Sequence, residues 1–334
     1  YLLYAGAATV CGCVFGLLVG FRVFPTVIWG AYEIMYDLPP LVASFNVKYA
    51  ALSSSTFGLA PLFTLLLLGL GYSSFEVLSY RWGVASLFLG ALALFAGRSF
   101  RLSWPELRTV FFLSLFRAAT SLSLVIAYQH IASGVASTIH FMYPLAVALA
   151  MMCFFREKGS VWVFAAIGMS IVGAVLLSLG NVDFTRGNTT LGMVSAAVSV
   201  VSYGGYIVGV RKSRAVGIDS TVLTCYVMGL GALYFIAGGL VTGGIRIETD
   251  GTAWLCILGV ALPATAVSNM TLVQAIKRIG PTLTSVFGAL EPLTAVVIGV
   301  AVFGEPFTVQ GAAGILLIVA AVTIVILHSG RRKA

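Results

Sequence analysis

Gly280 to Pro306 reads GPTLTSVFGALEPLTAVVIGVAVFGEP, an apolar run of membrane-span length with Glu291-Pro292 at its centre and Gly304-Glu305 at its end. The pattern recurs from Ala132 to Lys158 as ASGVASTIHFMYPLAVALAMMCFFREK. Aligning Pro144 on Pro292 gives an offset of 148, at which Ala127 falls on Ala275, Ile131 on Ile279, Ser137 on Ser285 and Glu157 on Glu305. Two apolar helices can match by composition alone. A shared proline and a shared terminal glutamate in register do not follow from composition, and they mark an internal repeat.

Composition sets the solvent. The chain has 334 residues, 60% hydrophobic and 9% charged, with a mean hydropathy of +1.04. A soluble domain carries about 25% charged residues. A chain this apolar is a polytopic membrane protein, and its 37 glycines suit close helix packing in lipid. Five cysteines lie in apolar runs without metal-ligand spacing, so no metal or other cofactor is expected.

From Lys48 onward the chain divides into ten apolar segments of roughly 20 residues, the length that crosses about 30 Å of hydrocarbon. Their approximate bounds are 49–71, 75–97, 106–128, 131–154, 161–180, 190–210, 219–243, 252–275, 280–303 and 307–328. Lipid offers the backbone no hydrogen bonds, so all are expected to be helices. Residues 1–47 hold an apolar run, then Arg22, Glu33, Asp37 and Pro39-Pro40. They are expected to form an extra span or an interfacial appendage, not a cleaved leader, because no basic region precedes the apolar run.

The basic residues test the count. Lys48, Arg98, Arg101, Arg108, Arg156, Lys158, Arg211, Lys212, Arg214, Lys277, Arg278, Arg331, Arg332 and Lys333 fall on one side of a ten-span chain, and only Arg186 and Arg246 on the other. That side is expected to be cytoplasmic, together with the basic tail 329–334. The net charge of +8 is thus topological, and nucleic acid is excluded as a partner. The halves, 48–180 and 190–328, hold five spans each. Five is odd, so the second half enters the membrane inverted. Weaker echoes agree: Val77-Leu78-Ser79 with Val222-Leu223-Thr224, and Phe57-Gly58 with Tyr203-Gly204-Gly205. Inverted repeats build secondary transporters, with the substrate held between the halves near mid-membrane.

Over residues 48–328 the chain resembles the EamA-type permeases of the drug/metabolite transporter superfamily. The resemblance rests on Tyr80-Arg81-Trp82, the Tyr143-Pro144 and Glu291-Pro292 pairs, and the Gly304-Glu305 ending; Arg156-Glu157 departs from it where Gly-Glu is usual. It implies an inner-membrane exporter or exchanger of small metabolites, often amino acids or similar compounds.

Charges inside a membrane are costly and so are functional candidates. Arg117 lies roughly 16 Å deep at 1.5 Å per residue, Glu291 similarly, and Arg81 about 9 Å from the outer side. Arg81 is a third candidate for substrate binding or coupling, shallow enough that it could instead snorkel to the outer headgroups or cap a neighbouring helix end. Glu291 reads as a proton site or a contact for a substrate amine. Alternatively it pairs with an arginine or bonds backbone freed by Pro292. Arg117 reads as a clamp for carboxylate or phosphate, its guanidinium being a planar donor fork, or as the ion partner of Glu291. Its repeat mate, Thr265, shares a helix face with Ser268 and Asn269, a face that lines a cavity or joins helices. The repeat mate of Glu291 is Tyr143, so the charge breaks the symmetry there. His140, one turn before Pro144, and Tyr203 and Tyr206, set among glycines, are further cavity candidates. Pro144 and Pro292 permit bending and are candidate hinges.

No P-loop and no nucleophile context occur, so neither an ATP-driven pump nor an enzyme is expected. The function expected is secondary transport of a small polar metabolite, with protons as a possible coupling ion, by a monomer or homodimer in the lipid bilayer. The alternatives are carriage of phosphorylated or nucleotide-linked sugars, and lipid handling.

Overall fold

A computed structural model describes residues 45–131, 133–178, 187–294 and 308–331, all helical or in short connections among these residues. Residues 1–44, with most of the N-terminal extension, lie outside them, as do Glu305 and most of the second half of the ninth expected span. The helices are α1 (Phe45–Phe57), α2 (Ala60–Gly69), α3 (Ser74–Phe95), α4 (Trp104–His130), α5 (Ser133–His140), α6 (Tyr143–Phe155), α7 (Val161–Ser178), α8 (Thr189–Lys212), α9 (Ser220–Thr242), α10 (Gly251–Ala261), α11 (Ser268–Ile279), α12 (Pro281–Phe287) and α13 (Val309–Arg331). Seven stretches among the described residues are long and apolar enough to cross a membrane: Val47–Gly69, Ser74–Phe95, Trp104–His130, Val135–Phe155, Thr189–Lys212, Ser220–Thr242 and Gly251–Ile279. Val161–Leu176 and Val309–Ile324 are apolar but shorter.

Polar caps start the long helices where the chain enters the apolar zone. Ser73 Oγ accepts from the Glu76 amide (3.2 Å) and Glu76 accepts from the Ser73 amide (2.8 Å), a reciprocal capping box for α3. Glu106 accepts from the Ser103 amide (2.7 Å) before α4, and Asp219 Oδ1 accepts from two amides of α9. These side chains satisfy amide donors that the helix itself leaves free.

The connections gather into two ends. At one, Arg98 pairs with Asp219 at 3.7 Å, Arg211 donates to the Lys277 carbonyl, Lys277 to the Ile218 carbonyl, and Arg278 and Lys212 lie over Tyr49 and Phe155. At the other, Arg246 pairs with Glu76 at 3.0 Å and lies over Tyr72, Tyr72 bonds Glu248, and Ser74 donates to Gln129. Between the ends the broadest contacts are α3 with α9, α7 with α13, α4 with α8 and α1 with α11. Small residues permit them. A Cβ on Gly231 would overlap the Trp82 ring, and one on Gly173 would sit 2.8 Å from the Gly314 carbonyl.

Three expected spans are not continuous. The first breaks at Gly58–Leu59, the fourth at Phe141–Met142 and the ninth at Gly288–Ala289, while the eighth widens into a π-helical segment, Leu262–Val267. Each irregularity coincides with a proline: Pro61, Pro144, Pro292 and Pro263. Proline lacks the amide and its ring clashes with the carbonyl four residues back, here Phe57, His140, Gly288 and Gly259. The chain compensates with tight turns, as in Glu291 N–H to Gly288 O (2.9 Å) and Leu145 N–H to Met142 O (3.1 Å). In lipid such breaks survive only where they are buried in protein or line a cavity.

Candidate functional site

The three breaks meet at one cavity of about 60 Å³. Its walls include Phe57, Gly58 and Pro61 from the first break, His140 and Phe141 from the second, and Glu291 and Pro292 from the third. Thr64, Arg81, Arg117, Ser121 and Tyr128 are among the other polar residues that line it.

Arg81 does not snorkel. It is 5% exposed, its Nε donates to Thr265 Oγ1 at 2.6 Å, and it faces the cavity. Counting residues along the helix gives depth but not direction, and this face of α3 turns inward onto the π-helical segment. Thr265 is held in turn, its hydroxyl donating to the Val260 carbonyl five residues back (2.7 Å).

Arg117 is 1% exposed. Its Nε donates to Asn269 Oδ1 at 2.8 Å and its Nη1 to Ser121 Oγ at 3.3 Å. Asn269 is itself fixed by donating to the Thr265 carbonyl (2.7 Å). Ser121 and Asn269 stand at the same repeat position, at the offset of 148. Around the guanidinium lie the rings of Tyr203 (5.1 Å), Phe57 (5.4 Å), Trp82 (6.0 Å) and Tyr206 (6.0 Å). Their faces attract a cation. Neither Arg81 nor Arg117 has a carboxylate within ion-pair distance among the described residues.

Glu291 accepts from the Tyr143 hydroxyl at 3.2 Å instead of pairing with Arg117. Tyr143 and Glu291 are repeat mates that touch across the halves. Phe57 and Tyr203, mates in the weaker echo, also stack, with centroids 6.3 Å apart. His140 Nδ1 lies 2.8 Å from Ser199 Oγ, and its ring stacks on Tyr203 at 5.3 Å.

Of the residues singled out in the sequence, Arg81, Arg117, His140, Glu291 and Pro292 line the cavity. Tyr143, Tyr203, Tyr206, Thr265 and Asn269 stand one step behind it, holding or surrounding the charged groups. Ser268 is set apart, buried, with its carbonyl accepting from Ser53 at 2.9 Å. Pro144 is buried in the first turn of α6. Sequence reasoning passed over Phe57 as a site residue, as well as Ser121, Tyr128 and Pro61. The repeat offset would have found Ser121 opposite Asn269, and a search for prolines inside apolar runs would have found Pro61.

A multi-pass helical membrane protein with broken helices around a cavity that has charged side chains in its wall has the architecture of a transporter. The EamA-like transporter family matches this sequence twice, at residues 44–179 and 190–327. The chain belongs to the EamA-like transporter family; it is a transporter and not an enzyme. It is 26% identical over 279 residues to the uncharacterized transporter YojE of Bacillus subtilis strain 168, covering 79% of this chain and 87% of that one. It is 25% identical over 238 residues to an uncharacterized transporter of Archaeoglobus fulgidus, covering 71% and 83%. A solved crystal structure shares the fold, with a TM-score of 0.67 at 19% identity over 83% of this chain and 95% of that one.

Proposed function

We propose that this protein is a secondary transporter that exports a small polar metabolite bearing a carboxylate, such as an amino acid, by alternating access between two inverted five-helix repeats. The observation that carries this reading is the charge set in the cavity: two buried guanidiniums without carboxylate partners among the described residues and one carboxylate, Glu291, all on the same walls. With these three groups ionised the cavity is net positive. A bound carboxylate would neutralise it, using the donor fork of a guanidinium. Glu291 then offers a place for the ammonium of a zwitterion.

Ten spans in two inverted halves are supported by the contacts between repeat mates. Residues related by a two-fold axis touch one another only at that axis, and Tyr143 with Glu291 and Phe57 with Tyr203 do so beside the cavity. The helix contacts follow the same symmetry: α3 packs on its mate α9 and α7 on α13, while α4–α8 and α11–α1 exchange. The end that holds Arg98, Arg211, Lys212, Lys277 and Arg278 is the cytoplasmic one in this reading, with the C-terminus on the same side of an inner membrane.

A cavity of about 60 Å³ has room for a few waters, against about 300–1,000 Å³ for a typical ligand site. Admitting a metabolite requires the walls to part, and the proline breaks at Pro61, Pro144 and Pro292 are where helices can bend. The experiment is thermal stabilisation of the detergent-purified protein by a panel of amino acids, purines, sugars and sugar phosphates, paired with flux. A bound ligand raises the melting point by mass action. Arg117→Ala is expected to abolish both the shift and the flux while membrane insertion persists; normal flux in that variant would overturn the reading. The second reading, a phosphorylated sugar, is favoured by Arg81 joining Arg117 at the cavity, and it prevails if only phosphorylated compounds stabilise.

A further inference from the structure

We propose that His140 sets specificity by presenting a hydrogen-bond acceptor to the substrate, so that the transported anion must carry an N–H or O–H donor close to its carboxylate. This inference rests on the carboxylate reading above. Ser199 Oγ lies 2.6 Å from the Ala196 carbonyl and 2.8 Å from His140 Nδ1. A serine hydroxyl has one proton, and a carbonyl oxygen can only accept. The proton between Ser199 and Ala196 is therefore the hydroxyl's. The proton between Ser199 and His140 is the ring's, on Nδ1. In the neutral imidazole the other nitrogen then carries a lone pair. A second ring proton would place a third cation beside Arg81 and Arg117 in one low-dielectric cavity, which Coulomb repulsion opposes.

Nε2 is the unspent atom. It has no hydrogen-bond partner among the described residues, the side chain is 3% exposed, and the residue lines the cavity. Arg81 Nη2 and Thr64 Oγ1, 5% and 1% exposed by residue, are likewise unpartnered and line the same cavity. A buried polar atom with no partner costs free energy, and a ligand that satisfies several such atoms at once gains specificity. Arg81 supplies a donor for a carboxylate, and His140 demands a donor in return. The cavity is small, so both groups must lie close together on one molecule, as in a 2-amino or 2-hydroxy acid. Carboxylates without a neighbouring donor leave Nε2 unsatisfied, which discriminates against them more strongly than size does.

Two measurements test this. In the first, glycine, glycolate and acetate are titrated at matched ionic strength into the full-length purified protein while its melting point is followed. Glycine and glycolate are expected to bind about fivefold or more tightly than acetate, the factor for one net hydrogen bond. His140→Phe, which keeps a flat ring but no acceptor, should bring the three together. Equal binding by wild-type protein overturns the inference and leaves the carboxylate reading standing. If none of the three stabilises the wild type, the carboxylate reading itself falls, and the inference with it. The second measurement needs neither ligand nor variant: long-range ¹H–¹⁵N spectra of histidine-labelled protein, which holds three histidines. A signal from His140 protonated on Nε2 overturns the inference, and a bare Nε2 with protonated Nδ1 supports it.

Discussion

Asn269→Asp replaces one side-chain nitrogen by oxygen and so tests where a substrate anion binds. Asn269 Oδ1 already sits 2.8 Å from Arg117 Nε, and Asn269 Nδ2 donates to the Thr265 carbonyl at 2.7 Å. Aspartate keeps the first contact, makes it charge-assisted on both sides, and loses the second. For stability the effects oppose. An ion pair with charges about 4 Å apart gains about 4 kcal/mol at an effective dielectric constant near 20. Against it stand a desolvation cost of several kcal/mol for the new buried carboxylate and about 1–3 kcal/mol for the unsatisfied Thr265 carbonyl. The net change is small, and the variant should insert and fold. For a bound anion the effects do not oppose. A carboxylate on the far edge of the same guanidinium would lie about 6 Å from the new charge and lose about 2.8 kcal/mol at that dielectric constant, roughly 100-fold in affinity. The assay is titration of whichever carboxylate stabilises the wild type, run in parallel on Asn269→Ala, which removes the hydrogen bond without adding charge. Affinity in Asn269→Asp within threefold of Asn269→Ala would refute the placement of the anion on Arg117.

Thr265→Val removes the acceptor for Arg81 Nε (2.6 Å) with little change of shape. It should cost about 1–3 kcal/mol of stability and weaken carboxylate binding in the same titration, and unaltered binding would show that Arg81 takes no part. Gly58→Ala places a Cβ 2.7 Å from the Glu291 carbonyl and 2.8 Å from Thr294 Cβ. Overpacking of this kind costs about 1–3 kcal/mol, read as a lowered melting point, and the first and third breaks should be pushed apart. Glu76→Gln breaks the pair with Arg246 (3.0 Å), whose side chain is 50% exposed. The stability loss should stay under about 1 kcal/mol, while a cysteine placed at Thr64 on the cavity wall should label faster from that end of the bundle. Unchanged labelling would show that this pair does not hold that end shut.

The helical character and approximate bounds of the seven membrane-length stretches among the described residues were legible in the sequence, because each reflects a one-dimensional quantity. Apolar length matches bilayer thickness, and the basic residues sort by loop. Direction around a helix was not legible. In a soluble helix an apolar stripe points inward, but lipid is as apolar as the interior. Helix α3 shows this: Leu87 and Leu94 are exposed while Leu78 and Leu89 are fully buried, and nothing in their chemistry distinguishes them. The sequence left Arg81 between a site residue and a snorkelling one for that reason; its depth was readable, but its direction is set by Thr265 across the bundle. Pro144 and Pro292 were read as candidate hinges, and the helix is interrupted just before each. A proline's effect depends on whether neighbours satisfy the carbonyl it frees, which is a property of the fold and not of the segment.

The repeat carries the last step. An offset in sequence says that two residues are equivalent, not that they meet, yet Tyr143 and Glu291 meet at 3.2 Å. Symmetry at an axis juxtaposes equivalent positions, and two identical charges there would repel one another. A repeat protein can place a charge at its axis only by letting the mates differ. Here Glu291 faces a tyrosine that donates to it. Arg117 has Thr265 as its mate and receives its acceptors from the mated pair Ser121 and Asn269. One half contributes the arginines, the histidine and Ser121, and the other contributes the carboxylate, the Asn269 amide that holds Arg117 and the Thr265 hydroxyl that holds Arg81. The chemistry of the cavity therefore sits where the halves have diverged, and substitutions that restore symmetry, such as Glu291→Tyr, should preserve the fold better than they preserve transport.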